Sequence, residues 1–348
     1  MSDLQPAQEI IVRGRKITWN ANPYIIAEMA CGHQGKVRDA KQIIDAAVAG
    51  GADCVQLEVF DPDNNVVPQC PTYQELRGLY FDPDQWADIY KYARQFDIAI
   101  STFAYDMVGL ELGLKLGTDL IKFNSSDLGM PDMLARVAEA KVPLSLGTGS
   151  STMEEISRSV HYLMDRGFND FFLMQGVQNF PTDVSNLHIR RMNLLRDNFG
   201  CLVGYADHTD SKDPFSRIVD LIAIGAGATV IEKHLIVERR NGGIDHQSAQ
   251  NPDEFKGIVE MLRKGMIALG PARIQMPNES DKRYRKFQKK SIVAARSIPS
   301  GKTIESEDLA FRRHNEEGIS PMRTEEFIGR KAKRAFEKFD LFALSDVG

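Results

Sequence analysis

Two of the chain's seven histidines close short apolar runs: LVGYADH ends at His208 and TVIEKH at His234. Imidazoles at the ends of neighbouring parallel strands can converge on one point. Two nitrogen ligands with open positions beside them suit a divalent transition metal that also takes substrate and water. On spacing alone the pair stays open between that role and two satisfied structural histidines. Lys122, Thr102 and Ser125 supply one cation and two hydroxyls, the groups that hold a phosphate or a carboxylate. A lysine paired with an acid such as Glu28 is the equal alternative. A strand-end lysine can also form a Schiff base, which keeps an aldolase open at Lys122 or Lys233. By strand alternation Lys233 faces away from His234, so it reads better as an ion pair between strand and helix.

These residues need a scaffold that brings strand ends together. Short β-branched or apolar runs occur at 24–28, 54–59, 98–102, 120–123, 142–146, 171–174, 202–205 and 229–233. Amphipathic stretches follow most of them, at 40–49, 83–96, 130–140, 152–166, 186–198, 214–225 and 253–269. Eight β/α units without a break predict a closed (β/α)₈ barrel. An open doubly wound sheet would carry a GxGxxG turn after its first strand, and none is there. Asp82 before Pro83, Ser151 before Thr152 and Asp213 before Pro214 read as helix starts. In such a barrel the reactive side chains collect at the C-terminal strand ends. Those ends supply Glu28, Gln56 with Glu58, Thr102, Lys122 with Ser125, Thr148, Gln175 with Gln178, Asp207 with His208, and Glu232 with His234.

The length of 348 residues leaves room for one small module beyond a barrel of about 250. The expected division is a barrel over 1–270, a polar linker over 271–290 and a compact β-rich module over 291–348. The module carries a weak internal repeat, IPSGKTIESEDL against FEKFDLFALSDV, with a turn glycine, Gly301, in the first copy only. A net charge of −5 argues against a broad nucleic-acid footprint, and the basic run KRYRKFQKK reads as a solvated linker face. No apolar run approaches the roughly 18–20 residues of a spanning helix, and the start lacks the apolar stretch of a signal peptide, so no membrane role and a cytoplasmic address are expected. The four cysteines stand far apart without a CxxC pair, as reduced structural thiols do.

The strand-end residues lie inside longer strings: IIAEMACGHQG, GADCVQLEVF, IKFNSSDL, GYADHT, IEKH and GIDHQSA, followed by VAARSIPSGKTIESEDL and GISP. Together these strings resemble the sialic acid synthase family with its C-terminal antifreeze-like (SAF) domain, over nearly the whole chain. The resemblance implies an enzyme that condenses phosphoenolpyruvate with an N-acetylmannosamine-like amino sugar aldehyde, giving a nonulosonic acid and phosphate. It implies manganese or magnesium on His208 and His234, an acid–base carboxylate at Glu28, and further site residues at Glu232 and Asp245. Phosphoenolpyruvate contacts would fall on Thr102, Lys122 and Ser125, with Gln56 at the second strand. Sugar contacts would fall on Gln178, Asp207 and Arg313, the last reaching across a domain-swapped homodimer.

Several positions depart from the family pattern. Gln56 stands where a lysine is usual, Gly147 and Ala206 stand for serines, Gln175, Gly176 and Gln178 stand for His-Cys and Asn, and Gly32 stands for Asn. Loss of one cation and two hydroxyls thins the anion cradle by a few kcal/mol, at roughly 1–3 per charge-assisted bond. The departures keep three alternatives open: another aldehyde acceptor, an aldolase using an unphosphorylated keto acid, or a sugar-binding protein without catalysis.

Overall fold

The computed structural model describes residues 5–270 and 276–348. Its contacts divide the chain into two units, Met1–Pro271 and Ala272–Gly348.

In the first unit a hairpin, β1 (Glu9–Val12) and β2 (Arg15–Thr18), precedes eight parallel strands. These are β3 (Tyr24–Glu28), β4 (Cys54–Val59), β5 (Ala99–Ala104), β6 (Leu120–Phe123), β7 (Leu144–Gly147), β8 (Phe171–Gln175), β9 (Leu202–Asp207) and β10 (Val230–His234). β10 pairs with β3, which closes the barrel. Each strand is buried on both faces, as parallel strands between a barrel interior and a helical layer must be.

Side chains alternate strictly between the two faces. Tyr24, Ile26, Cys54, Ala99, Leu120, Phe172, Leu202 and Val230 fill the lower interior, and Ile10, Val12 and Ile17 of the hairpin pack into the same cluster. The hairpin therefore plugs the N-terminal end and leaves the C-terminal end to the chemistry. It went unexpected in the sequence, although Arg13 and Gly14, with φ of 46° and 76°, form the two-residue turn that its alternating pattern needs.

A second unexpected element is the helix Met107–Lys115, between β5 and β6. Its glycines hide the helical pattern and also explain its position. A Cβ at Gly109 would meet the Val59 carbonyl oxygen at 2.1 Å, and one at Gly113 would meet Thr102 Oγ1 at 2.4 Å. The helix lies closer to the sheet than any side chain allows. Two short helices, Pro62–Asn65 and Tyr73–Leu79, also fill the loop after β4. The helix Met153–Met164 starts one residue later than expected, on Thr152, whose hydroxyl and Glu155 form a reciprocal capping box.

The second unit holds the helix Glu279–Gln288, then β11 (Lys290–Ala294) paired antiparallel with β12 (Leu309–Arg313). Of the expected linker, 271–275 lie outside the described residues, and most of the rest is this helix with its exposed basic side chains. Ile292, Ile298, Ile304, Phe327, Phe336 and Phe342 form the core. Ile298 and Phe336, which open the two copies of the weak repeat, exchange backbone hydrogen bonds of 2.9 and 2.8 Å, so the repeats face each other.

Candidate active site

Above the plugged floor, the inward positions change from apolar to polar. Glu28, Gln56, Glu58, Ser101, Phe103, Lys122, Ser145, Glu232 and His234 follow the apolar layers on their strands, so the alternation that builds the core also delivers the site. Glu28, Glu58, Lys122, Glu232, His208, His234, Gln178 and Asp245 line one cavity of about 110 Å³, with Phe103, Tyr105 and Phe180 as aromatic walls.

The acids and the single ammonium form a connected set. Lys122 Nζ lies 2.5 Å from Glu232 Oε1 and 4.4 Å from the centre of the Phe103 ring. The Gln56 amide nitrogen donates to Glu28 and, at 3.0 Å, to Glu232. The Ala30 N–H donates to the other Glu28 oxygen at 2.7 Å. Burial pushes the Glu28 carboxyl well above the usual range, with Glu58 and Glu232 adding repulsion against the pull of Lys122. Burial likewise pushes Glu58, which accepts the Tyr105 hydroxyl at 2.8 Å, up to about 7. Asp245, on the loop after β10, is raised to about 6, chiefly by burial. The site thus holds carboxyls that can keep or release a proton near neutral pH.

The two imidazoles meet edge to face with ring centres 5.1 Å apart, and Phe180 packs on both. Burial holds both below their usual basicity, His234 further depressed by His208. The Val177 carbonyl accepts from His208 Nδ1 at 2.7 Å, which leaves Nε2 with its lone pair. His234 Nδ1 is buried without a partner. Two neutral rings, one with an orphaned nitrogen, fit a divalent ion. Among the described residues no third His, Cys, Asp or Glu joins them, so further positions would fall to water or substrate.

Four expected site residues of the barrel lie elsewhere, and the pleat explains two of them. Thr102 faces outward: its hydroxyl meets Tyr90 at 2.7 Å, so it cannot touch a ligand in the barrel. Asp207 also faces outward, holding Lys233 together with Asp220, and Lys233 is 3.0 Å from Asp220. This removes Asp207 from a sugar and Lys233 from Schiff-base chemistry. Ser125 sits on the turn after β6 and lines a separate cavity of about 410 Å³ with Ser126, Ser150 and Ser151. Gln56 is fully buried beneath the cavity rather than on its wall. Arg313 stands exposed on β12 of the second unit. Glu58, expected only as a strand-end residue without a role, and Phe103, unassigned by sequence, join the site on inward positions that alternation marks. Tyr105, Asn124 and Phe180 come from loops and carry no periodic signal.

A closed barrel whose open end gathers carboxyls, an ammonium and two imidazoles around one cavity has the layout of a (β/α)₈ enzyme acting on a small molecule. The NeuB family model matches residues 43–273 and the SAF domain model residues 289–347, and the chain belongs to the NeuB family. It is 26% identical to the N,N'-diacetyllegionaminic acid synthase of Legionella pneumophila, over 88% of this chain and 90% of that protein. It is also 26% identical to an uncharacterized protein of Methanocaldococcus jannaschii, over 98% and 99%. The crystal structure of a putative spore coat polysaccharide biosynthesis protein E from Chromobacterium violaceum shares the fold, with a TM-score of 0.82 at 22% identity over 94% and 99% of the two chains. No helix among the described residues is long and apolar enough to cross a membrane.

Proposed function

We propose that this enzyme condenses phosphoenolpyruvate with an N-acetylmannosamine-like amino sugar aldehyde to a nonulosonic acid and phosphate. The observation that carries this reading is the Lys122–Glu232–Gln56–Glu28 chain beside His208 and His234 at the open end of the barrel. The legionaminic acid synthase relative supports the product class. His208 and His234 would hold Mn²⁺ or Mg²⁺, which when bound acts as a Lewis acid toward the aldehyde oxygen.

The protein's own groups account for the remaining work. Lys122 is the ammonium positioned for the donor's anionic groups, with the Phe103 ring packed beneath it. The new bond joins the donor's terminal methylene carbon to the aldehyde carbon, and the aldehyde oxygen gains a proton. Water then adds at the adjacent, phosphate-bearing carbon and gives a proton to a site carboxylate, which we assign to Glu28; the hydroxyl it leaves becomes the keto oxygen as its second proton is lost. Phosphate leaves with its bridging oxygen, so one water is consumed per turnover. In the same reading the chain works as a homodimer, with Arg313 engaging the acceptor on the other subunit.

The test is phosphate release from phosphoenolpyruvate by the full chain with Mn²⁺ and a panel of aldoses, including N-acetylmannosamine. Release dependent on one aldose is expected, and no release with any of them overturns the reading. The aldolase alternative rests on Lys122 alone, now that Lys233 is locked between two aspartates. Borohydride trapping of a pyruvate adduct on Lys122 would replace the proposal with it.

A further inference from the structure

Gln56 occupies the position where a phosphate-binding cation would be expected, and its geometry excludes that use. Its side chain is fully buried. One amide proton goes to Glu28 and the other to Glu232, 3.0 Å away, while its oxygen accepts the Ser101 hydroxyl at 3.1 Å. The only capacity left is one lone pair on that oxygen, which a phosphate, itself an acceptor, cannot use. Turned over, the amide would give up both bonds from its nitrogen to the acids and set its oxygen against Glu232.

We propose that Gln56 is a positioning residue: with Ser101 setting the direction of its amide, it fixes Glu28 and Glu232 as one unit and never touches the substrate. The pairing is level across the strands, Glu28 of β3 opposite Gln56 of β4, and Gln56 opposite Ser101 of β5. Glu232 comes from β10, on the far side of β3, so one –NH₂ group spans three adjacent strands. A single nitrogen with two protons is the smallest neutral group that can bridge two acids. Among the described residues a neutral bridge also leaves Lys122 as the only ammonium in the layer, free of a second cation's repulsion. The inference rests on the reading of Glu28 as a proton-handling carboxyl.

The experiment compares the full-length enzyme with Gln56→Leu, Ser101→Ala and the double variant, each checked for folding by circular dichroism. Gln56→Leu should lower kcat by about 10²-fold, the cost of a roughly 1 Å misplacement, with the KM for phosphoenolpyruvate held within about threefold. Ser101→Ala should give a smaller loss of the same kind, and the double variant should be no worse than Gln56→Leu alone. A KM rise of about tenfold with kcat kept, or independent multiplication of the two losses, overturns the proposal. Should Gln56→Leu fail to fold, Gln56→Met and Ser101→Ala carry the same comparison. A wild-type enzyme that releases no phosphate overturns the proposed function by itself. Positioning is then read from crystal structures of the variants: Glu28 released from the Ala30 N–H supports it, and Glu28 unmoved overturns it.

Discussion

On the proposed reading of His208 and His234 as metal ligands, His208→Ala and His234→Ala should each weaken Mn²⁺ binding. With no third side-chain ligand among the described residues, either change would remove half of the protein's share of that proposed coordination. Loss of groups that merely orient a ligand already costs roughly 10–100-fold in affinity, so Mn²⁺ binding measured by equilibrium dialysis should fall at least about 100-fold. Unchanged affinity would place the ion elsewhere. The neighbouring residue Lys233 makes the opposite prediction. Lys233→Met leaves Asp207 and Asp220 facing each other in the core. Asp220, already raised to about 7 by burial, can relieve part of the repulsion by taking a proton. The expected cost is about 3 kcal/mol, the low end of the roughly 3–5 for a broken buried pair, read by urea unfolding at neutral pH. What separates these residues is one step along a strand. The string ADH places an outward aspartate beside a histidine of the cavity, and EKH places an outward lysine between two inward groups. The same parity was available for Thr102, since Ser101 and Phe103 are its inward neighbours. Gln56 and Glu58 share a face by the same rule, but whether a buried side chain reaches a cavity or stops beneath it depends on lengths and neighbours that no period encodes.

Among the elements, the eight strands are legible because parallel strands covered on both sides must be continuous apolar runs, and loops and helices space them at regular intervals. The hairpin β1–β2 is too short to show more than two alternations, and its function as a plug exists only once the barrel has closed. The helix Met107–Lys115 is obscured by Gly109 and Gly113, residues poor in helix propensity that only the close approach to β4 and β5 explains. This makes a prediction opposite to the usual gain on replacing a helical glycine. Gly109→Ala should destabilise the protein by about 1–3 kcal/mol, because its Cβ would strike the backbone of Val59 and the helix must shift. Ile100 and Leu110, both fully buried in the main core, would feel that shift. Thermal unfolding checks it: a midpoint equal to or above that of the wild type would mean the helix is free to move outward.

Over the whole molecule the two units are stabilised differently. The barrel buries layers of apolar side chains, whereas the C-terminal unit has a small core and one buried carboxylate holding its first turn together. Asp308 accepts from Lys302 at 2.6 Å, from Arg296 at 2.8 Å and from the Glu305 N–H at 3.0 Å. These partners outweigh its burial and hold the carboxyl down to about 2. An aspartate depressed in the folded state stabilises it fully above the unfolded value of about 3.9, and the contribution is lost as pH falls from there through about 2. Asp308→Asn keeps the shape but loses the charge, so at neutral pH it should cost the unit about 1–3 kcal/mol, the worth of charge-assisted hydrogen bonds to a buried acceptor. The readout is hydrogen exchange in β11 and β12 of the full chain, corrected for intrinsic rates. At pH 7 the variant's strands should exchange faster than the wild type's while the barrel strands are unchanged. As pH is lowered below 4 the difference should shrink, because the wild-type carboxylate becomes protonated and loses the advantage that the amide never had. A difference that stays constant down to pH 2.5 would show that Asp308 holds its turn by shape alone, and that Arg296 and Lys302 contribute little as charges.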